Sequence, residues 1–248
     1  MARAATLPRL TWQDATISDV RPESRTGTTL RLDVADWPGH RAGQHVDIRL
    51  TAPGGYTAVR PYSLASAGGS SLVEITVDTT PDGEVSPYLA HSARTGHHVE
   101  VRGPLGRWFV WDVTDSAPVQ LIGGGSGVVP LMSMLRTHRD ADHTGAMQLL
   151  YSVAGPDHLL YRDELHRLEQ QGLVTHIYTR EAPPGATRPP GRVTPAELVE
   201  HTLPAAIGPT CYVCGPTGFV ETVLERLVEL GHEPDRLRAE RYGERSTP

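Results

Sequence analysis

The sequence contains no lysine; all 23 of its strong bases are arginine. Chemistry that needs a side-chain amine is therefore excluded, both Schiff-base formation and the phosphate-holding lysine of a Walker loop. Cysteine is almost as scarce, with only Cys211 and Cys214. Two thiols cannot build a four-thiolate zinc site or a cysteine-held iron–sulfur cluster. Their C-x-x-C spacing lies in Thr210-Cys211-Tyr212-Val213-Cys214, which reads as a strand. Residues three apart on a strand face opposite sides, so the sulfurs should not meet, and Cys211 reads as a small buried residue. No apolar run is long enough to span a bilayer. Met1 to Pro8 lacks the apolar stretch of a signal peptide, so the expected location is cytoplasmic. The formal net charge is −6, without a basic stripe. That argues against a nucleic-acid partner but leaves room for a local arginine patch facing an acidic protein.

What is present falls into two halves, within a length of 248 residues that permits one large domain or two ordinary ones. The first half alternates apolar and polar residues in short runs: His45 to Leu50, Val73 to Val77 and His98 to Arg102. Turn residues separate them at Pro38-Gly39, Pro53-Gly54-Gly55, Gly68-Gly69 and Pro81-Asp82-Gly83. Closely spaced strands with one short helix, about Ser86 to Ala93, predict an antiparallel β-barrel. After Asp112 mostly apolar runs, such as Pro118 to Ile122, Met147 to Val153, Leu173 to Thr179 and Thr210 to Cys214, alternate with helical patterns. Thr194-Pro195-Ala196-Glu197 is a capping box with proline at the first helical position. Phe219, Val220, Val223, Leu224, Leu227 and Val228 form one helical stripe ending at Gly231. This grammar predicts a Rossmann-like α/β domain with a parallel sheet. The expected domains are 1–115 and 116–248, and the Pro/Gly-rich stretch Ala182 to Gly191 reads as a mobile loop.

Gly123-Gly124-Gly125-Ser126-Gly127 follows an apolar strand and opens a helix expected over Val129 to Arg139. Small residues at such a turn admit a pyrophosphate to the backbone and to the helix N-terminus. The turn lacks the Gly-Lys-Ser/Thr of a P-loop. It also misses the G-x-G-x-x-G spacing, because Val128 and Pro130 stand at the candidate third-glycine positions. Four glycines in five residues carry a large entropic cost, which favours a ligand role over a bare turn.

At Arg60-Pro61-Tyr62-Ser63 the chain resembles the ferredoxin–NADP reductase family, whose flavin signature is R-x-Y-S. Further segments match in order. Gly83-Glu84-Val85-Ser86 resembles the second flavin motif, and Gly103-Pro104-Leu105-Gly106 the turn that closes the barrel. Gly123 to Pro130 resembles the nicotinamide-domain glycine turn, Cys214-Gly215-Pro216 the late C-G-x element, and Glu240-Arg241-Tyr242-Gly243 the carboxy-terminal E-x-aromatic segment. The resemblance implies FAD as cofactor and NADPH or NADH as donor. It assigns Arg60 to the flavin pyrophosphate, Tyr62 to the ring and Ser63 to the vicinity of N5. Ser86 would add a helix N-terminal anion site, and Gly83 and Val85 belong to the same motif. Cys214 and Glu240 would lie near the nicotinamide, Cys214 for positioning rather than attack. Tyr242 would cover the second flavin face. Gly124, Gly125, Ser126, Gly127, Gly215 and Pro216 would serve the pyridine nucleotide. Thr179 and Arg180 resemble the pair that binds a 2′-phosphate, with Arg188 and Arg192 in the following loop, so NADPH is favoured.

Two departures from the family stand out. Six residues follow Tyr242, where plant-type members stop at the aromatic. The run Thr76-Val77-Asp78-Thr79 lacks the basic residue often found there. The implied activity is hydride transfer from NAD(P)H to FAD, with onward electron delivery to a protein such as a ferredoxin, a flavodoxin or an oxygenase component. Reduction of free flavin or another small molecule is an alternative acceptor chemistry. A flavin-holding interaction subunit without turnover is the alternative of a different class. No metal site is expected; His138 and His143, with Asp140 and Asp142 between them, read as a solvated loop.

Overall fold

The computed structural model describes residues 10–52, 54–79 and 85–243. Six strands form the first sheet: β1 (Gln13–Pro22), β2 (Gly27–Val34), β3 (His45–Thr51), β4 (Thr57–Ser63), β5 (Val73–Asp78) and β6 (His98–Leu105). Their order is β4-β3-β6-β1-β2-β5, and every pairing is antiparallel. An antiparallel bridge between Leu64, just past β4, and Ile75 of β5 joins the two edges into a barrel. Alternation fills the interior: Val73, Ile75 and Val77 of β5 pack with Leu30, Ile48 and Val101. The other face of β5 is buried too, because the second domain covers it. Glu74 there meets Arg31 and Arg136, and Thr76 accepts from the Tyr161 hydroxyl at 2.5 Å.

The short helix after β5 is a three-residue turn, α1 (Val85–Pro87), running on as a π-helical turn over Tyr88–Ser92. Gly103-Pro104-Leu105 continues β6 rather than turning, across a register shift where His45 pairs with Leu105 and Asp47 with Arg102.

The second sheet is wholly parallel, in the order β11-β10-β7-β8-β9. Its strands are β7 (Val119–Gly124), β8 (Met147–Val153), β9 (Val174–Tyr178), β10 (Thr210–Pro216) and β11 (Leu237–Tyr242). Helices α2 (Val128–Asp140), α3 (Arg162–Gln170), α4 (Pro195–His201) and α5 (Thr217–Glu229) connect them. The chain leaves β7 toward β8 on one side and returns to β10 on the other, so the sheet switches direction between β7 and β10. In such sheets the crevice beyond the strands' carboxyl ends at the switch is the binding place. Cys214 packs in the core on one face of the sheet and Cys211 on the other, as their spacing requires.

Within α5, Val220, Val223 and Leu227 are buried, but Val228 stays 47% exposed, at the margin of the stripe. The Thr194–Glu197 capping box is present. Glu197 also pairs with Arg188, which holds its carboxyl down at about 2. Arg188 donates in addition to the carbonyls of Tyr178, Pro189, Gly191 and Arg192. The loop expected to be mobile is thus pinned through one arginine.

The domains meet over an apolar seam in which Ala42, Ala65, Phe109 and Trp111 join the α2 and β8 core. Polar ties reinforce it: Ser133 donates to the Ser66 carbonyl at 2.6 Å, Arg136 to that of Ala65 at 2.9 Å, and Tyr212 to that of Val110 at 2.9 Å. No helix among the described residues is long and apolar enough to cross a membrane.

Candidate functional site

Two cavities meet at the switch point. The first, about 400 Å³, opens between the domains. Pro61, Tyr62 and Ser63 of β4 and Ser86 of α1 wall it from the barrel, and Ser126, Cys214, Glu240 and Tyr242 from the α/β domain. The second, about 580 Å³, lies on the other side of the glycine turn. It is lined by Gly124, Gly125, Ser152, Thr179, Arg180, Arg192, Pro216 and Phe219, among others.

On the barrel side, the Tyr62 hydroxyl and the Ser86 hydroxyl lie 2.8 Å apart, which fixes the ring against the wall. Ser86 was expected at a helix N-terminal anion site. A helical turn of three residues has little dipole to offer, and the serine instead orients Tyr62. Arg60 extends from the barrel surface and donates to the Val59 carbonyl at 2.8 Å. Val85 is a buried core residue that borders a third cavity, of about 620 Å³, with Leu50, Tyr56, Ala58 and Tyr88. Alternate residues of β4 share a face, so Arg60 lies in a row between Ala58, which lines the third cavity, and Tyr62, which lines the first. The expected site residue Gly83 lies outside the described residues.

The glycine turn is a 3-10 turn over Gly125–Gly127 leading into α2. Gly125 has φ +55°, a left-handed conformation that favours glycine. At Gly127 the reason is packing: a Cβ there would stand 2.2 Å from the Cys214 carbonyl oxygen. Neither Gly127 nor Gly215 is among the residues lining the first or the second cavity; both let β10 approach the turn closely. Close packing of strands accounts for part of the glycine richness that the sequence suggested was for a ligand.

Tyr242, at the end of β11, bridges the two cavities. Its hydroxyl donates to the Gly124 carbonyl at 2.6 Å and accepts from the Gly127 amide at 3.2 Å. The residue remains 37% exposed, so the hydroxyl end is anchored while part of the ring faces the cleft. Glu240, two residues earlier on the same strand face, pairs in register with Cys214. Burial pushes the Glu240 carboxyl up to about 7, and burial with this neighbour pushes the Cys214 thiol well above its ordinary 9.0. Cys214 is therefore a thiol at neutral pH, suited to shaping the site and not to nucleophilic attack.

Thr179 and Arg180, just past β9, share the second cavity with Arg192. Arg188, committed to Glu197, does not line it. The first cavity also includes His45, Thr76, Asp78, Val129 and Arg241, which the motifs did not single out. No motif marks His45, which reaches the cavity by pairing directly with Ser63 of β4. Burial lowers its imidazole pKa, with Asp47 opposing. Phe219 read as core, yet its ring lies over Gly124 and Gly215, where a Cβ would come within 2.7 and 2.8 Å of it.

Comparison with known proteins gives matches to both halves. Residues 18–110 match the oxidoreductase FAD-binding domain and residues 121–225 the oxidoreductase NAD-binding domain. A relative from a Ralstonia species, the ferredoxin–NAD(P)(+) reductase component of naphthalene 1,2-dioxygenase/salicylate 5-hydroxylase systems, is 27% identical over 86% of this chain and 63% of its own length. A flavohemoprotein from Rhodopirellula baltica is 30% identical over 85% of this chain and 55% of its own. The chain thus spans a little over half the length of these curated relatives. The crystal structure of the flavohem-like FAD/NAD-binding domain of nitric oxide dioxygenase from Vibrio cholerae superposes with a TM-score of 0.82 at 28% identity. That match covers 94% of this chain and 99% of the other.

Proposed function

Because the chain belongs to the ferredoxin reductase-like oxidoreductases, with an FAD-binding and an NAD-binding domain, and is an FAD-dependent NAD(P)H oxidoreductase, we propose that the first cavity is its hydride-transfer site, the second its nucleotide site, and a redox protein its acceptor. The observation that carries this reading is a single cleft walled by Tyr62 and Ser63 from one domain and by Cys214 and Glu240 from the other.

The residues present fit the flavin. Arg60 stands between the first and third cavities, where a pyrophosphate linking ring and adenosine would pass, and a guanidinium can fork onto two phosphate oxygens. Ala58 to Tyr62 spans about 13 Å at strand rise, a reach that suits an extended dinucleotide more than a mononucleotide. Tyr62, held by Ser86, presents one wall to the ring, and Ser63 places a hydroxyl at its edge. FAD supplies a ring that accepts hydride and releases electrons singly. The protein supplies orientation and exclusion of water. Cys214 sets the depth to which the nicotinamide enters, and Glu240 provides the charge beside it.

A protein acceptor is supported by an exposed aromatic–arginine pair beside the start of β11. Trp108 is 62% exposed, and Arg238 stacks on it at 4.0 Å. Arg238 shares its strand face with Glu240 and Tyr242. An exposed aromatic carrying a stacked arginine, on a chain of net charge −6, suits an acidic redox protein such as a ferredoxin, a flavodoxin or an oxygenase component. The Ralstonia relative's name, a reductase component, favours the same reading.

Anaerobic titration of the FAD-loaded protein with NADPH and with NADH tests the core of this. The visible flavin bands should bleach, faster or at lower concentration with NADPH. Bands that persist with both donors would overturn it in favour of a flavin-holding subunit. Arg180 and Arg192 share the second cavity, so Arg180→Ala should raise the KM for NADPH about 10- to 100-fold, the worth of a charge-assisted pair. The KM for NADH should change little. Equal losses for both donors would remove the 2′-phosphate role.

A further inference from the structure

Thr76 and Asp78 occupy the same face of β5, the face turned toward the α/β domain. Thr76 is fully engaged: its hydroxyl lies 2.7 Å from that of Thr29 and accepts from Tyr161 at 2.5 Å. Asp78, one step further along, lines the first cavity with Tyr62, Ser63, Ser86 and Tyr242. Its Oδ1 is buried and has no hydrogen-bond partner among the described residues. The other charged or titratable groups on that cavity do not neutralise it. Glu240 is acidic and His45 has its pKa lowered by burial. Arg241 is paired with Glu221. A buried carboxylate oxygen without a donor is costly, and an orphan of this kind points to a missing partner.

We propose that Asp78 is a tuning residue of the flavin site, accepting a hydrogen bond from a donor group of the bound FAD and disfavouring negative charge on the reduced ring. This rests on reading the first cavity as the hydride-transfer site. The chemistry of the occupant sets the orientation. The donors on oxidised FAD near the ring are its one N–H and the ribityl hydroxyls, whereas its carbonyls, unprotonated ring nitrogens and phosphates are acceptors. Asp78 selects a donor and repels the rest. Reduction adds electron density to the ring, and an uncompensated carboxylate across a low-dielectric cavity opposes it.

The test compares the wild-type holoprotein with Asp78→Asn and Asp78→Lys by two readouts that need no turnover, the dissociation constant of oxidised FAD and the midpoint potential. Asp78→Asn keeps the shape and an acceptor oxygen but loses the charge. It should bind reduced FAD about tenfold more tightly relative to oxidised FAD, a positive shift of about 30 mV for a two-electron couple. Asp78→Lys should shift further in the same direction. Potentials equal to wild type in both variants overturn the inference, as does loss of FAD from Asp78→Asn, which would make the role structural. Wild-type protein that takes up no FAD would instead overturn the reading of the cavity on which the inference stands.

Discussion

Tyr242→Ala is expected to tighten binding of NADPH and NADH by about 10- to 100-fold, as the two hydrogen bonds released are together worth roughly 1 to 3 kcal/mol. The Tyr242 hydroxyl occupies the Gly124 carbonyl and the Gly127 amide, at 2.6 and 3.2 Å. The Gly127 amide stands at the start of α2, where a pyrophosphate gains from both the N–H groups and the helix dipole. At the Gly127 amide the tyrosine hydroxyl holds the acceptor position that a phosphate oxygen of the nucleotide would take, so a nucleotide that uses this amide must displace it. Tyr242→Phe separates the two contributions. It keeps the ring in the cleft and removes only the hydroxyl, so it should recover about tenfold of the gain. Dissociation constants from perturbation of the visible flavin bands, measured with NADP+ to avoid turnover, give the answer directly. Constants unchanged in both variants would mean that the nucleotide uses other groups of the second cavity and leaves Tyr242 in place.

The fold was legible because two periodicities dominate the chain. Period-two runs in the first half and apolar runs spaced by helical stripes in the second left little choice of architecture, and Thr194 and Glu197 cap α4 as their spacing requires. The walls of the first cavity were legible where contiguous motifs supply them, Pro61 to Ser63 and Cys214. The site was not legible where pairing across strands or packing between domains decides. His45 reaches the cleft only through its register with Ser63. The polar residues of β5, Glu74 and Thr76, look like a solvent face in sequence but are 5% and 4% exposed because the second domain covers them. That burial turns Asp78 from a missing base into a feature of the cleft. Arg188 looked equivalent to Arg192 until Glu197 claimed it. Local spacing cannot show which of two neighbouring arginines is already paired.

Glu240→Gln is expected to slow anaerobic reduction of the flavin about 10- to 100-fold at pH 8 and to leave the rate flat between pH 6 and pH 8. In the wild type the rate should rise through that range with a midpoint near 7, because burial holds the Glu240 carboxyl up at about 7 rather than its ordinary 4.5. The sign follows from the chemistry: hydride departure leaves positive charge on the nicotinamide, and a carboxylate beside it lowers that barrier while a neutral carboxyl does not. Folding stability must run the other way. A carboxyl whose pKa is higher in the folded chain than in the unfolded one contributes stability that is present below the unfolded value and is lost as pH rises through the folded one. The wild-type melting temperature should therefore fall, relative to Glu240→Gln, as pH rises from about 5 to 8. Rate and stability respond oppositely to the same ionisation only if the group is both buried and aimed at the reacting carbon. A buried carboxyl elsewhere would lower stability without accelerating reduction. A rate that still rises with pH in Glu240→Gln would move the assignment to His45, a second titratable group on the cavity, whose imidazole pKa burial lowers.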